Sequence, residues 1–246
     1  MASDDFTLIT GCLSGIGKAT LEFFCSNGSN VIAAVLYEDE DFTIFCRDLE
    51  TKYSIKIIIT SFDLSDEDQI RKSVKKLFKE KIKINGLVNI AGITKDSSAL
   101  MTSPKDLSII LNVNLIGQII LTQYISRLML KNSGGSVVFI SSITGIDGNA
   151  GQLSYGVSKA ALINACKTFS KELGSQNIRF NIVAPGVIDT QMNKEVPAQI
   201  LKERLQSTSL KRIGKPQEVS KVIYFLLSDQ SKHITGQVIR VDGGMK

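Results

Sequence analysis

The sequence has only four prolines, four cysteines and one histidine among its 246 residues, and each scarcity excludes something. With 43% hydrophobic residues, so few prolines favour a compact fold without long disordered linkers. The single histidine, His233, is expected to be structural, because a lone histidine is seldom catalytic. The cysteines form no C-x-x-C pair and show no metal-site spacing, so no metal is expected. We expect reduced thiols of a cytoplasmic protein at Cys12, Cys25, Cys46 and Cys166.

Long apolar runs are also lacking, and none has the length that a membrane span needs. The acidic opening Met1 to Asp5 leads directly into an apolar strand, so a secretory signal is not expected. The net charge is +5, and the densest basic stretch, residues 71–83, alternates with apolar residues at helical spacing. No aromatic stacking pattern accompanies it. We therefore expect a solvated helix face, with neither a nucleic-acid nor a membrane partner.

Apolar runs alternate with helical patterns along the whole chain, which predicts a parallel sheet with right-handed crossovers. No linker or composition shift divides the sequence. The prediction is an α/β protein: one Rossmann-fold domain over residues 1–246, with a doubly wound, seven-stranded parallel sheet and helices on both faces. The predicted strands are Phe6–Thr10, Val31–Leu36, Lys56–Ser61, Gly86–Ile90, Ser136–Ser141, Arg179–Val183 and Val238–Val241.

The first strand runs into a glycine-rich turn, after which a helical pattern begins. In a doubly wound fold, such a turn brings the backbone and a helix N-terminus close to a dinucleotide pyrophosphate. Taken alone, the pattern also fits a tight strand-to-helix turn without a ligand. The candidate cofactor contacts in this turn are Gly11, Leu13, Ser14, Gly15, Ile16 and Gly17.

The ends of the next strands provide further candidate contacts. The second strand ends at Leu36 beside an acidic run, Glu38 to Asp41. An acidic residue at this tip favours the 2′-hydroxyl of NAD, and an arginine favours the 2′-phosphate of NADP. Leu36 is neither, so NAD(H) and NADP(H) both stay open. Asp63 could accept a hydrogen bond from the adenine amino group, and Ser65 is expected to be the N-cap of the following helix.

Tyr155 and Lys159 are four residues apart, so they share one face of a predicted helix. A nearby ammonium lowers the pKa of a phenol, which would let Tyr155 exchange a proton with a carbonyl oxygen as hydride is transferred. Ser142, after the fifth strand, would hydrogen-bond the same oxygen. Asn114 lies in an apolar helical stretch, where its amide is costly unless it is hydrogen-bonded. Taken alone, Tyr-x-x-x-Lys is common on helix surfaces, a serine after a strand is ordinary, and Asn114 could simply form a helix–helix hydrogen bond.

Together and in this order, the motifs resemble those of the short-chain dehydrogenase/reductases over essentially the full length. The matching elements are Thr10-Gly11-x-x-x-Gly15-x-Gly17, Asn89-x-Ala91-Gly92, Asn114, Ser142, Tyr155-x-x-x-Lys159 and Pro185-Gly186. The resemblance implies a nicotinamide-dependent oxidoreductase with a catalytic tetrad of Asn114, Ser142, Tyr155 and Lys159. It implies that Lys159 and Tyr155 also contact the cofactor. The further cofactor contacts it implies are Leu36, Asp63, Leu64, Asn89, Ala91, Gly92, Pro185, Gly186, Ile188 and Thr190.

Within that family the chain is most similar to the 3-oxoacyl-[acyl-carrier-protein] reductases. The similarity is in Ala91 to Asp96, Ala184 to Thr190 and the ending Ile234 to Met245. It implies reduction of a ketone, most simply a 3-oxoacyl thioester of fatty acid biosynthesis. A dehydrogenase of a sugar, polyol or other secondary alcohol is the alternative within the family, and a non-catalytic cofactor-binding sensor is the alternative outside enzymes.

Two further expectations concern the surface. Residues 191–214 are polar with a helical pattern and are expected to form a lid over the substrate pocket, with Met192, Val196 and Ile200 as possible walls of an acyl channel. The helical stretches 114–130 and 160–173 carry more apolar surface than one sheet face needs. Family members pair such helices, so a homo-oligomer, a dimer or tetramer, is expected.

Overall fold

Seven parallel strands form one sheet in the order β3-β2-β1-β4-β5-β6-β7. The structure is a computed structural model that describes residues 5–194 and 198–245. The order reverses between β1 and β4, which is where doubly wound folds bind ligands. The fold class and the number of strands are thereby confirmed. The strands are β1 Asp5–Thr10, β2 Asn30–Val35, β3 Ile57–Ser61, β4 Lys83–Asn89, β5 Gly135–Ile140, β6 Ile178–Pro185 and β7 Val238–Val241.

Helices cover both faces of the sheet and enclose two apolar cores. Because side chains alternate along a strand, neighbours such as Leu8 and Ile9 enter different cores. Helices α3, α5 and α7 close the first core, and α1, α2 and α10 close the second. The helices are α1 Gly15–Ser26, α2 Glu40–Tyr53, α3 Glu67–Lys79, α4 Pro104–Leu111, α5 Gly117–Lys131, α6 Thr144–Asp147, α7 Leu153–Leu173, α8 Gln191–Lys194, α9 Ala198–Gln206 and α10 Pro216–Leu227.

Strand β1 is one residue longer than the sequence predicts, and two other strands are longer by two residues or more. Strand β4 begins at Lys83 rather than Gly86, because its first residues pair with the start of β1 before the register shifts. Strand β6 continues to Pro185, which pairs with Val241. A proline is tolerated at this position because it is the last residue of the strand and its carbonyl still accepts a hydrogen bond, from Ile143, at 3.1 Å.

Acidic residues begin two of the helices. The side chain of Asp39 accepts a hydrogen bond from the Phe42 amide at 3.1 Å and caps α2, so the acidic run after β2 serves the helix. The N-cap of α3 is Asp66, which accepts from the Gln69 amide at 3.1 Å. The prediction of Ser65 as the cap is wrong, because its amide and hydroxyl both donate to the Asp63 carboxylate, at 2.7 and 2.8 Å.

Helices α4 and α5 are joined by a π-helical turn, Asn112–Ile116, into one continuous helix. This helix, Pro104–Lys131, is long and apolar enough to cross a membrane by length and composition, which corrects the expectation from the sequence. The apolar residues are interrupted in sequence, but the π turn keeps them on one continuous helix. Leu121, Ile125 and Met129 of α5 are fully buried in the first core. The helix therefore packs on the sheet as a core helix does.

Candidate active site

A cleft of about 860 Å³ opens at the carboxyl ends of the central strands. It borders a smaller cavity of about 280 Å³, and Tyr155 and Thr190 line both. Most of the predicted cofactor contacts lie on the cleft wall: Gly11, Leu13, Ser14, Gly15, Ile16, Gly17, Leu36, Asp63, Leu64, Ala91, Gly92, Tyr155, Lys159 and Thr190. Pro185, Gly186 and Ile188 line the smaller cavity, together with Ser142.

The glycine turn is too tight for side chains at two of its positions. Gly11 has a φ of +75°, a left-handed conformation that glycine adopts without strain. A Cβ on Gly17 would lie 2.0 Å from the Gly11 carbonyl oxygen. The hydroxyl of Thr10 accepts hydrogen bonds from the Ile90 and Ala91 amides, at 2.9 and 3.1 Å, and ties the turn to the end of β4. The turn is thus a fixed cradle of main chain.

The N-terminus of α1 lies in this turn and is available for an anion. Its N-cap, Ser14, has an extended backbone and its side chain makes no capping hydrogen bond. Unpaired N–H groups and the positive end of the helix dipole favour a negative group at such a position. The residues present therefore fit the pyrophosphate of a dinucleotide.

Tyr155 lies in the first turn of α7, and Lys159 follows one turn later. The Lys159 Nζ lies 5.6 Å from the centre of the Tyr155 ring and donates a hydrogen bond to the Ile140 carbonyl at 2.7 Å. Ser142 follows β5 and lines the same cavity as Tyr155. The Ser142 Oγ accepts from the Thr144 amide at 3.1 Å, which fixes its position. The predicted shared helix face is confirmed.

Burial controls the ionisation of this pair. It raises the pKa of Tyr155 to about 12, against a lowering by the Ser142 hydrogen bond, and the Asp96 carboxylate raises it further. Burial lowers the pKa of Lys159 to about 8. The lowered phenol pKa that the sequence suggested is wrong for this geometry, because desolvation outweighs the lowering by Ser142. At neutral pH the Tyr155 hydroxyl consequently holds its proton.

Asn114 is fully buried in the π-helical turn, and every polar atom of its side chain is used. Its Oδ1 accepts from the Ile93 amide at 2.8 Å. Its Nδ2 donates to the Ile93 carbonyl at 2.8 Å and to the Ser158 hydroxyl at 3.2 Å. These bonds offset the cost of burying the amide. A π turn inside an α-helix often marks a functional site.

Two of the four predicted catalytic residues, Asn114 and Lys159, meet at Gly92. A Cβ placed on Gly92 would lie 3.1 Å from the Asn114 Oδ1 and 3.5 Å from the Lys159 Nζ. Tyr155 lies beside Lys159, and Ser142 lines the smaller cavity together with Tyr155. The structure therefore brings together a phenol, an ammonium, a hydroxyl and an amide from three separate parts of the chain.

Asn89 differs from the prediction in its placement. Its side chain is fully buried away from the cleft, and Nδ2 donates to the Thr122 hydroxyl of α5 at 3.0 Å. Within the described residues its Oδ1 has no partner. Of the predicted channel residues, Met192 lines both cavities. Val196 lies outside the described residues, as does the side chain of Ile200.

The smaller cavity has polar walls that the sequence did not reveal. The Gln152 Nε2 donates to both oxygens of Asp96, at 3.2 and 3.1 Å, and its Oε1 accepts from the Thr144 hydroxyl at 3.2 Å. Arg204 of α9 and Met245 also line this cavity. No motif marks these residues, since only the fold brings them together.

The fold and the cleft together define a nicotinamide-dependent oxidoreductase. The family profile described as enoyl-(acyl carrier protein) reductase matches residues 11–246. The chain is 42% identical to the 3-oxoacyl-[acyl-carrier-protein] reductase FabG of Thermotoga maritima over 238 residues, which are 97% of this chain and 96% of that protein. It is 38% identical to the proteins of the same name from Chlamydia muridarum and Aquifex aeolicus, again over 97% of this chain and 96% of each relative. The chain belongs to the short-chain dehydrogenase/reductase family.

Proposed function

We propose that the protein reduces the ketone of a 3-oxoacyl thioester, carried on acyl carrier protein, to the corresponding 3-hydroxyacyl thioester. The observation that carries the proposal is the position of Tyr155, which lies between the cleft that fits a dinucleotide and the smaller cavity that holds Ser142. The names of the curated relatives support the same substrate class.

The nicotinamide cofactor supplies the hydride when it is bound, and the chain supplies the proton. Because the pKa of Tyr155 is about 12, its hydroxyl is protonated at neutral pH and is suited to donate to the carbonyl oxygen. Ser142 is held by the Thr144 amide, so its hydroxyl can hydrogen-bond the same oxygen. We assign Lys159 to the nicotinamide ribose and to the charge beside Tyr155. Asn114 keeps the turn around Ile93 in place and supports a water for proton relay.

The proposed cofactor is NAD(H), held by the residues of the cleft wall. Near the adenosine end, Leu36 is 59% exposed and Tyr37 is 57% exposed. The charged residues on the described part of the cleft wall are Asp63 and Lys159, and Lys159 is at the catalytic end. A 2′-phosphate would thus meet no cation where NADP requires one. We expect a higher kcat/KM with NADH than with NADPH. Leu36→Arg should lower or reverse the ratio of the two kcat/KM values, and Ile44→Arg, at an exposed position, is the control that should leave the ratio unchanged.

The proposed reaction is tested with Tyr155→Phe and acetoacetyl-N-acetylcysteamine as the ketone. The variant should lose about 10²–10⁴-fold in kcat, since it lacks the acidic proton, and should bind NADH as the wild type does. Substantial residual turnover would contradict the role of Tyr155. Crotonyl-N-acetylcysteamine and a panel of sugars and polyols are assayed beside it. If the enzyme converts the crotonyl thioester, a sugar or a polyol but does not reduce the acetoacetyl thioester, its substrate belongs to a different class.

The assembly and the lid belong to the same proposal. Exposed apolar side chains mark the outer faces of the long helix and of α7: Ile116, Leu130, Leu153 and Val157. These side chains are exposed to water in a single copy of the chain. We therefore propose that they pack against a second copy in a homo-oligomer of a cytoplasmic enzyme. We also propose that the described parts of residues 191–214 cover the substrate. Light scattering on a sizing column tests the assembly, and a monomeric mass would refute it.

A further inference from the structure

The smaller cavity joins the proposed catalytic residues to the helix that would cover the substrate. Ser142 and Tyr155 line it from β5 and α7, and Arg204 lines it from the last turn of α9. At about 280 Å³ the cavity accommodates a short group of a substrate. A ligand whose ketone reaches Tyr155 therefore shares this cavity with Arg204.

The charged residues on the described wall of this cavity are Asp96, Asp147 and Arg204, and they differ in whether their side chains have hydrogen-bond or ion-pair partners. Asp96 accepts hydrogen bonds from the Thr94 hydroxyl at 2.7 Å and from Gln152. Asp147 forms an ion pair with Arg240 at 2.9 Å. Over residues 5–194 and 198–245, the guanidinium of Arg204 has neither a hydrogen bond nor an ion pair.

Arg204 is a half-buried residue on the cavity wall, and a charged side chain there gains no bond in exchange for the hydration it gives up unless an anion binds. The helix dipole favours a cation in the last turn of α9, but it does not require one that faces a cavity. Lys202, on the same helix, is exposed and does not line the cavity. The planar fork of arginine matches the two oxygens of a carboxylate or phosphate.

We propose that Arg204 binds an anionic group of the ketone substrate and is a specificity-determining residue of the enzyme. The anion is either a carboxylate at the far end of the acyl chain or the phosphate of the arm that carries it. The inference rests on the proposed reduction of a 3-oxoacyl thioester. It adds to that reaction a preference for substrates that carry a negative charge on the acyl chain or on the carrier arm.

The test compares three thioesters with wild-type enzyme, Arg204→Met and the matched control Lys202→Met. The neutral substrate is acetoacetyl-N-acetylcysteamine, the phosphate-bearing one is acetoacetyl-4′-phosphopantetheine, and the carboxylate-bearing one is 3-oxoadipyl-N-acetylcysteamine. Arg204→Met should lower kcat/KM about tenfold or more for an anionic substrate and leave the neutral one nearly unchanged. Arg204→Lys should recover part of the loss, and NADH binding, measured by fluorescence, should be equal in all four proteins.

The pattern of losses identifies the anion. A selective loss with the phosphate-bearing substrate assigns Arg204 to the carrier arm, and a selective loss with the carboxylate-bearing substrate assigns it to the acyl end. Equal effects of Arg204→Met on all three substrates, or effects no larger than those of Lys202→Met, overturn the assignment while the reductase function stands. If the wild type reduces none of the three, the proposed function fails, and this inference fails with it. If Arg204→Met does not fold, Arg204→Gln is compared in the same way.

Discussion

Replacing Gly17 by alanine tests whether the glycine turn is a rigid cradle for the cofactor. The new Cβ would lie 2.0 Å from the Gly11 carbonyl oxygen and 2.6 Å from its carbon, far inside any non-bonded contact. The atoms in the way are main chain, so the clash is relieved only if the turn itself moves. Overpacking of this kind costs about 1–3 kcal/mol, which corresponds to a fall in Tm of about 3–10 °C for a chain of this length.

Because the displaced carbonyl belongs to the turn that faces the dinucleotide, cofactor affinity should fall together with stability. We expect the Kd for NADH to rise by about tenfold, a change of about 1.4 kcal/mol. Thermal unfolding by circular dichroism and a fluorescence titration with NADH measure the two effects.

Gly174→Ala is the matched control. Gly174 has helical backbone angles, a φ of −60° and a ψ of −39°, and a Cβ there would meet no atom within 4 Å. This variant should have the wild-type affinity and an unchanged or slightly raised Tm. If Gly17→Ala keeps both the Tm and the NADH affinity of the wild type, the turn is not the rigid element described above.

Three further predictions concern stability and chemical reactivity. The pKa of Lys159 is lowered to about 8 from its ordinary 10.5, so between these pH values the unfolded chain binds more protons than the folded one. The free energy of unfolding should therefore rise with pH across this window, and Lys159→Met, compared by urea titration at several pH values, should remove that rise. Arg179 donates hydrogen bonds to three main-chain carbonyls and to Ser231, at 2.8 to 3.2 Å. Arg179→Met should therefore lower the free energy of unfolding in urea by about 2–4 kcal/mol, and Arg179→Lys should lower it somewhat less. An unchanged urea midpoint would exclude this stabilising role. Burial raises the pKa of all four thiols, those of Cys12, Cys25, Cys46 and Cys166. Ellman's reagent at pH 8 should therefore label them only after the protein unfolds. Rapid labelling of the native protein would contradict their buried placement.

The sheet and the helix that carries Tyr155 could be predicted because they depend on local patterns. Apolar runs and turn residues set the strands, and a spacing of four residues places Lys159 beside Tyr155 on any helix. The direction of the Tyr155 pKa shift could not be predicted in the same way. It depends on burial of the ring, which raises the pKa most, and on two side chains that the fold brings near: Ser142, which lowers the pKa, and Asp96, which raises it.

The placement of Asn89 shows a signal that was present but not used. In β4, Leu87 enters the first core and Val88 the second, so strict alternation sends Asn89 toward α5. The π turn around Asn114 left no such signal. One extra residue shifts the helical phase by about 100°, but residues 109–116 are apolar at nearly every position, so the shift does not show in the apolar pattern.

The anchoring of α9 at one end determines how the helix could move. Just after the helix, Thr208 is buried and bridges Met245, and the amides of Ser209 and Leu210 donate to the Gly244 and Gly243 carbonyls at 3.1 and 3.0 Å. Any rotation of α9 would therefore have its hinge at these hydrogen-bonded residues, and the N-terminal end of the helix would be displaced most. Arg204 lies about 6 Å along the axis from the pivot, on a short lever arm. The entrance to the smaller cavity would then widen while the Arg204 guanidinium moves only a short distance.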